Sequence, residues 1–262
     1  MKSVLVTGSG GGMGLEICKR LVGLGYRVFA LDRREFVCEG AEKIICDLQS
    51  ESEVSAAIAT IKEKIPRLFA VVHTAGIYDL DSLVEMDEEK FKRIFDINLF
   101  GAYRINKAVM PLLSSGSKII MTSSELAPLD PLPFTGVYAV SKAALEKYAY
   151  SLRMELNLLG ISVSVIRPGA VRTGLLSDST AALDRFCKNT KAYSCNAVRF
   201  KKIVDSVEAR NVSPEKIAGL VLRALTAKKP RFVYIINRNP LLMLLNLLPD
   251  RLQVMIIGRI LR

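Results

Sequence analysis

The sequence predicts an α/β fold, a doubly wound seven-stranded parallel sheet with helices on both faces. Its 262 residues are 50% hydrophobic and 24% charged, which is typical of a globular protein and excludes a disordered or collagen-like chain. Apolar runs of strand length alternate along the chain with longer stretches of helical spacing. The strand runs are continuously apolar, as expected for strands that helices bury on both sides.

Seven apolar runs are predicted as strands, at residues 4–6, 28–31, 44–46, 68–72, 118–121, 162–166 and 232–235. Helical spacing predicts helices at residues 13–24, 51–64, 88–113, 138–159 and 214–227. The polar stretch 175–212 lies between the sixth strand and the last of these helices, where a lid over a substrate site is expected. We therefore expect one catalytic domain over residues 1–239 and an amphipathic extension over residues 240–262.

The basic charge of the chain is concentrated near its end. Lys and Arg outnumber Asp and Glu by 37 to 26, a net charge of +11, and residues 227–262 hold seven cations and one anion, or +6 of that charge. The apolar stretch 240–249 is too short to cross a bilayer, which takes about 20 residues. Three interpretations of the extension stay open: contact with an anionic membrane surface, a dimer contact, or a cover over the substrate pocket.

Cysteine usage and the first residues bear on the compartment. The five cysteines include no CxxC pair, so neither a disulfide framework nor a metal site is expected. Residues 1–6 run directly into a glycine-rich turn and leave no room for a signal peptide. The expected location is the cytoplasm, with membrane association as an open possibility.

A glycine-rich turn from Thr7 to Gly14 joins the first strand to the first helix. Such a turn lets the backbone approach a pyrophosphate, whose charge the helix N-terminus favours. Asp32 ends the second strand, where a carboxylate can bind a ribose diol and repel a 2′-phosphate, so NAD is favoured over NADP. Arg33 and Arg34 leave the opposite preference open. Asp47 after the third strand either receives the adenine amino group or caps the next helix.

A second group of residues indicates proton-transfer chemistry. Tyr138 and Lys142 are four residues apart on a predicted helix and therefore lie on one face. An ammonium near a phenol lowers the phenol pKa, as a general acid or base for an alcohol and its carbonyl requires. Ser124 follows the fifth strand, at the sheet edge where such folds bind ligands. Asn98 is a polar residue in an apolar helical stretch, and its amide needs buried partners.

These residues together resemble the short-chain dehydrogenase/reductase family, whose members carry the active site on one Rossmann-like domain. The similarity extends over about residues 3–235. It rests on the following motifs in this order: TGxxxGxG from Thr7 to Gly14, Ala75-Gly76, Asn98, Ser124, Tyr138 with Lys142, and Pro168-Gly169. A weaker resemblance, to the hydroxysteroid and retinol dehydrogenase branch, rests on Arg231-Phe232-Val233-Tyr234 and the Leu-, Pro- and Arg-rich tail.

The resemblance implies a role for each matching position. Tyr138 is the expected general acid or base, Lys142 lowers its pKa and binds the nicotinamide ribose, Ser124 orients the substrate oxygen, and Asn98 anchors a relay water. The implied cofactor contacts are Gly8, Gly12 and Gly14 with Met13 at the pyrophosphate, Asp32 with Arg33 at the adenosine ribose, Asp47 with Leu48 at the adenine, Ala75 and Gly76 along the adenosine, and Pro168, Gly169, Val171 and Thr173 at the nicotinamide.

Two positions need separate comment. The family commonly has Asn-Ala-Gly after the fourth strand, whereas this chain has Thr74-Ala75-Gly76, so the local link between strands is expected to differ. His73 is the only histidine, and its place at a buried strand end favours a structural role.

The predicted function is an NAD(H)-dependent oxidoreductase that interconverts an alcohol and its carbonyl on a lipophilic substrate. Beside Ser124 and Tyr138, the expected substrate contacts are the apolar residues Leu126, Phe134 and Leu175, which suit a hydrophobic substrate or simply pack the lid. The alternatives are an NADPH-dependent ketoacyl-thioester reductase and a non-catalytic, cofactor-sensing scaffold. No nucleic acid partner is expected. The family resemblance implies a homodimer or homotetramer, with residues 88–113 and 138–159 as candidate contact helices.

Overall fold

The computed structural model describes residues 1–208 and 210–262, with the side chains of 175–178, 207 and 208 outside the described part. Within that part, seven strands form one sheet in the order β3-β2-β1-β4-β5-β6-β7, and all neighbouring strands are parallel. The strands are β1 (Ser3–Thr7), β2 (Arg27–Asp32), β3 (Glu42–Ile45), β4 (Ala70–His73), β5 (Lys118–Thr122), β6 (Ser162–Pro168) and β7 (Val233–Ile236). The predicted seven-stranded parallel sheet is confirmed.

Helices cover both faces of this sheet. The α-helices of the described residues are α1 (Gly12–Gly23), α2 (Glu51–Lys64), α3 (Glu88–Phe95), α4 (Gly101–Val109), α5 (Gly136–Asn157), α6 (Gly174–Asn189), α7 (Ser194–Glu208), α8 (Pro214–Thr226), α9 (Pro240–Leu245) and α10 (Asp250–Leu261). Because strand side chains alternate between faces, Val4 and Val6 pack with Ile17 of α1 and with α8, whereas Leu5 packs with Ile58 of α2 and with α4. The apolar faces of the helices thus form two core layers.

The predicted helix over 88–113 is not one continuous α-helix. A π-helical turn at Asp96–Phe100 separates α3 from α4, and a 3₁₀ turn at Met110–Leu112 follows. A π-turn inserts an extra residue into the helical repeat and is common at functional sites. The side chain of Asn98 in this turn bonds the Ile77 backbone N–H and carbonyl, at 2.8 and 3.0 Å. The two hydrogen bonds tie the π-helical turn to the segment after β4.

The stretch 175–212, which the sequence marks as a polar insertion, forms most of α6 and α7. These helices build a small core beyond the carboxyl edge of the sheet, in which Leu183, Phe186 and Phe200 pack with Leu80 and Leu261. The composition of the stretch is polar, yet its few large apolar residues lie at helical spacing and share this core.

The segment after β7 folds back over the same edge as α9 and α10. The side chain of Asn239 caps α9 by accepting the Leu241 N–H at 3.0 Å. The Gln253 amide of α10 is buried and donates to Asp130 at 3.2 Å and to the Leu248 carbonyl at 3.0 Å. None of the described helices is both long and apolar enough to span a membrane.

Candidate active site

The glycine-rich turn lies tightly against the end of β4. Gly8 has a φ of +71°, and a Cβ there would lie 2.5 Å from the Ala75 nitrogen, so both conformation and space require glycine. The Thr74 hydroxyl donates to the Thr7 carbonyl at 2.7 Å and to the Gly8 carbonyl at 3.3 Å. A threonine thus links β4 to β1 and to the turn, through one hydroxyl that serves two carbonyls.

The N-terminus of α1 has the features of an anion site. Gly11 is its N-cap and makes no side-chain capping bond among the described residues, so the first N–H groups of α1 have no such partner. A Cβ on Gly14 would collide with the Gly8 carbonyl oxygen and the Thr74 hydroxyl, so glycine is needed for the helix to begin against the turn. The dipole of α1 favours negative charge at this end. These properties fit a pyrophosphate.

The Asp32 carboxylate lies beside this turn, at the end of β2. It accepts the Gly10 N–H at 2.9 Å and the Arg34 N–H at 3.1 Å, which fixes both oxygens. The side chains of Arg33 and Arg34 are exposed. The position suits a ribose diol next to the pyrophosphate.

Asp47 and Leu48 follow β3. The Asp47 carboxylate accepts the Gln49 N–H at 2.9 Å, while Ser50 caps α2 by accepting the Glu53 N–H at 3.2 Å. The alternative that Asp47 caps this helix is therefore wrong. Leu48 is buried.

Asn98 is held from three sides. Besides its two bonds to Ile77, its amide nitrogen donates to the Ser141 hydroxyl of α5 at 3.0 Å. A Cβ on Gly76 would lie 3.2 Å from both the Asn98 amide oxygen and the Lys142 ammonium, so only glycine leaves the space between them open. The buried amide expected to need partners has them, and its oxygen lies near the lysine.

Tyr138, Lys142 and Ser124 converge at the ends of β5 and α5. Ser124 and Tyr138 are both buried and line the same cavity. The Lys142 ammonium donates to the Thr122 carbonyl at 3.1 Å and lies 5.8 Å from the centre of the Tyr138 ring. The ring of Tyr78 packs edge-on against Tyr138, with centroids 4.4 Å apart. The three predicted catalytic side chains therefore share one site.

The end of β6 closes the site from the other side. A Cβ on Gly12 would lie 2.8 Å from the Thr173 methyl carbon, so the segment after β6 touches the glycine-rich turn. Gly169 has no room for a side chain because the Asn237 carbonyl and the Glu125 carboxylate lie against it. Val171 is buried.

A cavity of about 550 Å³ joins these groups. Its polar wall contains Ser124, Tyr138 and Lys142, and Met13 and Thr173 lie where it meets the glycine-rich turn. The remainder is mostly apolar; the apolar side chains that line it include Leu126, Leu132, Phe200, Ile203, Val204, Leu242, Leu245 and Leu248. The site thus places proton-transferring groups at one end of a hydrophobic chamber, beside a cradle that fits a dinucleotide.

The family assignment follows from this arrangement and from sequence similarity. A family model described as short chain dehydrogenase matches residues 2–184. The chain belongs to the short-chain dehydrogenase/reductase family. It is an oxidoreductase that binds an NAD(P) nucleotide and acts on small molecules, and the resemblance stated from the sequence is confirmed.

This short-chain dehydrogenase/reductase is similar to two relatives by sequence and to a solved structure by fold. Estradiol 17-beta-dehydrogenase 2 of Mus musculus is 28% identical over 258 residues, which cover 89% of this chain and 67% of that protein. An uncharacterized oxidoreductase, YbbO of Escherichia coli strain K12, is 33% identical over 244 residues and 89% and 84% of the two chains. The crystal structure of a short chain dehydrogenase family protein from Francisella tularensis has a TM-score of 0.75, 24% identity, and coverage of 90% and 97%. This last likeness concerns the fold.

The sequence predicts that Lys142 lowers the pKa of Tyr138, but in the structure of this short-chain dehydrogenase/reductase that pKa is raised. Burial raises the pKa of Tyr138 to about 12; the Ser124 hydrogen bond opposes that shift and the Glu125 carboxylate adds to it. Burial also lowers the pKa of Lys142 to about 8. Helical spacing puts both residues on one face, but the ammonium is directed to the Thr122 carbonyl and not to the phenol oxygen. Desolvation is therefore the main cause of the raised pKa of Tyr138.

His73 has the structural environment expected of it. It is buried, and its Nε2 lies 2.9 Å from the Asn106 amide oxygen. Burial lowers its pKa to about 4, so it is neutral at physiological pH. The Asn106 amide in turn donates to the Tyr148 hydroxyl at 3.1 Å.

The predicted substrate contacts have different placements. Leu126 lines the chamber. Phe134 differs from the prediction: its ring packs against Phe186, Tyr193 and Phe200, and it lines a second cavity. The three aromatic contacts hold the ring away from the chamber, and the backbone at Phe134 is left-handed, with a φ of +67°. The side chain of Leu175 lies outside the described residues.

Sequence reasoning missed several walls of the chamber. Tyr78 follows the Ala75-Gly76 motif, and Phe200 and Ile203 lie on α7 within the polar stretch 175–212. Apolar residues three or four apart in that stretch were the available signal. The leucines of α9 belong to the apolar stretch 240–249 of the sequence, and a cover over the substrate pocket is one of the three interpretations given for this extension.

Proposed function

We propose that the protein is an NAD(H)-dependent alcohol dehydrogenase or carbonyl reductase for a lipophilic small molecule. The observation that carries this proposal is the chamber itself, in which Ser124 and Tyr138 lie in the polar wall of a mostly apolar space. A lipophilic alcohol or ketone would place its single polar group against these hydroxyls and its hydrocarbon against the leucine-rich walls. The proposal extends the family assignment to a substrate class.

The chemistry assigns one task to each residue. A bound nicotinamide supplies or accepts the hydride. In reduction, the neutral Tyr138 phenol donates its proton to the substrate oxygen while Ser124 hydrogen-bonds the same oxygen. In oxidation, the Tyr138 oxygen takes the proton of the substrate hydroxyl. Lys142 would replace or remove the proton of Tyr138 through a relay water held by Asn98, and the polar atoms of these two residues both border Gly76. General acid–base action of this kind contributes about 10²- to 10⁴-fold.

The preference for NAD over NADP is supported by Asp32. Its carboxylate is fixed beside the glycine-rich turn by two backbone N–H groups, so a ribose phosphate placed there would meet a negative charge. The competing activity, reduction of a ketoacyl thioester with NADPH, needs the opposite preference. Turnover measured side by side with NADH and NADPH separates the two proposals, because a higher kcat/KM with NADPH would reject the first.

Replacement of Tyr138 by Phe tests the assigned chemistry. The hydroxyl that exchanges the proton is removed while the ring stays packed against Tyr78, so we expect kcat to fall at least 100-fold. NADH binding, followed by the fluorescence of the nucleotide, should stay within about threefold. Tyr150→Phe is the matched control, because Tyr150 lies on the same helix but is exposed. Retained turnover in Y138F contradicts the assignment, and NADH binding without turnover of any alcohol or ketone in the wild type favours the scaffold alternative.

Self-association is part of the same proposal. The outward side chains of Tyr103 and Phe100, near α4, and of Val140, Tyr150 and Met154 on α5 are exposed and apolar or aromatic. Exposed apolar patches are typical of protein contacts. A homodimer or homotetramer through these helices predicts a mass two or four times that of the chain in light scattering.

A further inference from the structure

The segment 239–262 has one face in the substrate chamber and another in solvent. Leu241, Leu244 and Ile260 line the chamber and are also exposed, Leu241 by 67% and Leu244 by 61%. These three side chains therefore belong to the rim through which the chamber meets solvent. An apolar rim of this kind is unfavourable in water and favourable against hydrocarbon.

Other apolar side chains extend the rim into a larger surface. Of the 24 large apolar side chains that are exposed among the described residues, eight lie between residues 241 and 260. They include Leu247, 80% exposed, and Val254, 71% exposed. A segment of about 20 residues thus supplies a third of them, which distinguishes it from the scattered apolar residues of an ordinary surface.

Positive charge borders this apolar surface. Arg251 and Arg259 on α10 and Arg262 are exposed and form no ion pair with any described residue, and Asp250 is the only acidic residue of the segment. Arg251, Met255 and Arg259 repeat at intervals of four, so they lie on one face of α10. Gln253, Ile257 and Leu261 occupy the opposite, packed side. Unpaired cations beside exposed apolar groups complement the anionic head groups and acyl region of a lipid surface.

We propose that the segment 239–262 docks the enzyme on an anionic lipid surface, with the rim of the substrate chamber facing the lipid. The inference rests on the proposed function for its purpose, since a lipophilic substrate would then pass from the lipid into the chamber without crossing water. The helices lie in the plane of the surface, and the arginines contact the head groups. Two hydrogen bonds attach the segment to the loop after β5: Glu125 accepts the Asn239 N–H at 2.7 Å, and Asp130 accepts from the Gln253 amide at 3.2 Å.

Binding to vesicles tests the docking without nucleotide or turnover. The full chain is mixed with phosphatidylcholine vesicles that contain or lack 30% phosphatidylglycerol, and the bound fraction is measured by cosedimentation. We expect binding to the anionic vesicles that weakens as salt is raised. A cation near such a surface contributes about fivefold to partitioning, so R251Q/R259Q should lower the partition coefficient by roughly 25-fold. K228Q/K229Q removes the same charge from the loop before β7, at the opposite edge of the sheet, and should change it less than twofold.

The outcomes separate docking from its competitors. Equal losses in the two double variants would mean a general charge effect and would overturn the proposal, as would absence of binding by the wild type. If L247Q/V254Q changes the mass in solution and leaves vesicle binding intact, the surface is a contact between copies of the chain and the proposal is likewise overturned. Turnover of a lipophilic alcohol with NAD, measured in the absence of vesicles, reports on the proposed function independently of the docking.

Discussion

Removal of the Arg167 guanidinium should destabilise the fold far more than removal of a comparable surface arginine. Arg167 of β6 makes a forked ion pair with Glu146 of α5, with Nε at 2.7 and 3.1 Å from the two carboxylate oxygens. Glu146 also accepts the Ser123 hydroxyl at 3.0 Å. The pair therefore joins the helix of Tyr138 to the strand beside it, next to the serine that precedes Ser124.

The size of the effect follows from burial. The side chains of Arg167 and Glu146 are 17% and 10% exposed, so in Arg167→Met the carboxylate stays buried without its counter-charge. Breaking a buried pair from one side costs about 3–5 kcal/mol of the free energy of unfolding. The double variant E146Q/R167M removes both charges but keeps an acceptor for Ser123, and we expect it to lose only about 1–2 kcal/mol.

The assay is urea unfolding followed by circular dichroism, since the chain has no tryptophan. Arg27→Met is the control: Arg27 bonds Glu42 at 2.7 Å, but both side chains are about one third exposed and Glu42 keeps Lys64 at 2.8 Å. Its loss should cost less than about 1 kcal/mol. The reasoning is refuted if R167M costs no more than R27M, or if the double variant is as unstable as R167M.

Two further perturbations act on other parts of the molecule. Burial lowers the pKa of His73 to about 4 from an ordinary 6.5, so the unfolded chain binds a proton at a higher pH than the folded protein does. The contribution of His73 to the free energy of unfolding is therefore fully present above pH 6.5 and falls by about 3 kcal/mol as the pH drops to 4. His73→Asn should flatten this fall in unfolding curves taken at each pH, and an unchanged slope would exclude His73 as its source. Asp32→Ala removes the charge beside the ribose position, so the ratio of kcat/KM with NAD to that with NADP should drop at least tenfold; a constant ratio would show that Asp32 does not select the nucleotide.

The sheet was predictable because its inner strands are mostly buried on both faces and are rich in apolar residues. β3 shows where this rule fails. The prediction placed it at residues 44–46, whereas the strand is Glu42–Ile45, with Lys43 and Ile45 exposed. It is an edge strand, and only alternate residues are covered, so its polar first half carries no apolar signal. An apolar run therefore predicts a strand well only where both faces of that strand are buried.

The candidate site was predictable in its residues and not in its shape. Motif spacing indicates Asn98, Ser124, Tyr138 and Lys142, but the π-turn that presents Asn98 depends on Ile77, which lies 21 residues away. The placement of α10 depends likewise on the bond from Gln253 to Asp130, across 123 residues. Local sequence has no periodicity that encodes such pairings, so the polar lid and the apolar tail could not be assigned to one chamber.

The pKa of Tyr138 is likewise not predictable from its sequence spacing to Lys142. Four-residue spacing fixes the face of α5 on which the two side chains lie, but the pKa of a phenol depends on where the ammonium ends and on how much water remains. Here β5 offers the Thr122 carbonyl to the ammonium, and Tyr78 covers the phenol ring. The phenol is consequently kept protonated, which is the form that donates a proton in carbonyl reduction. For alcohol oxidation the site must lower the free energy of the phenolate, and the Lys142 ammonium, 5.8 Å from the centre of the Tyr138 ring, is a cation placed to do so.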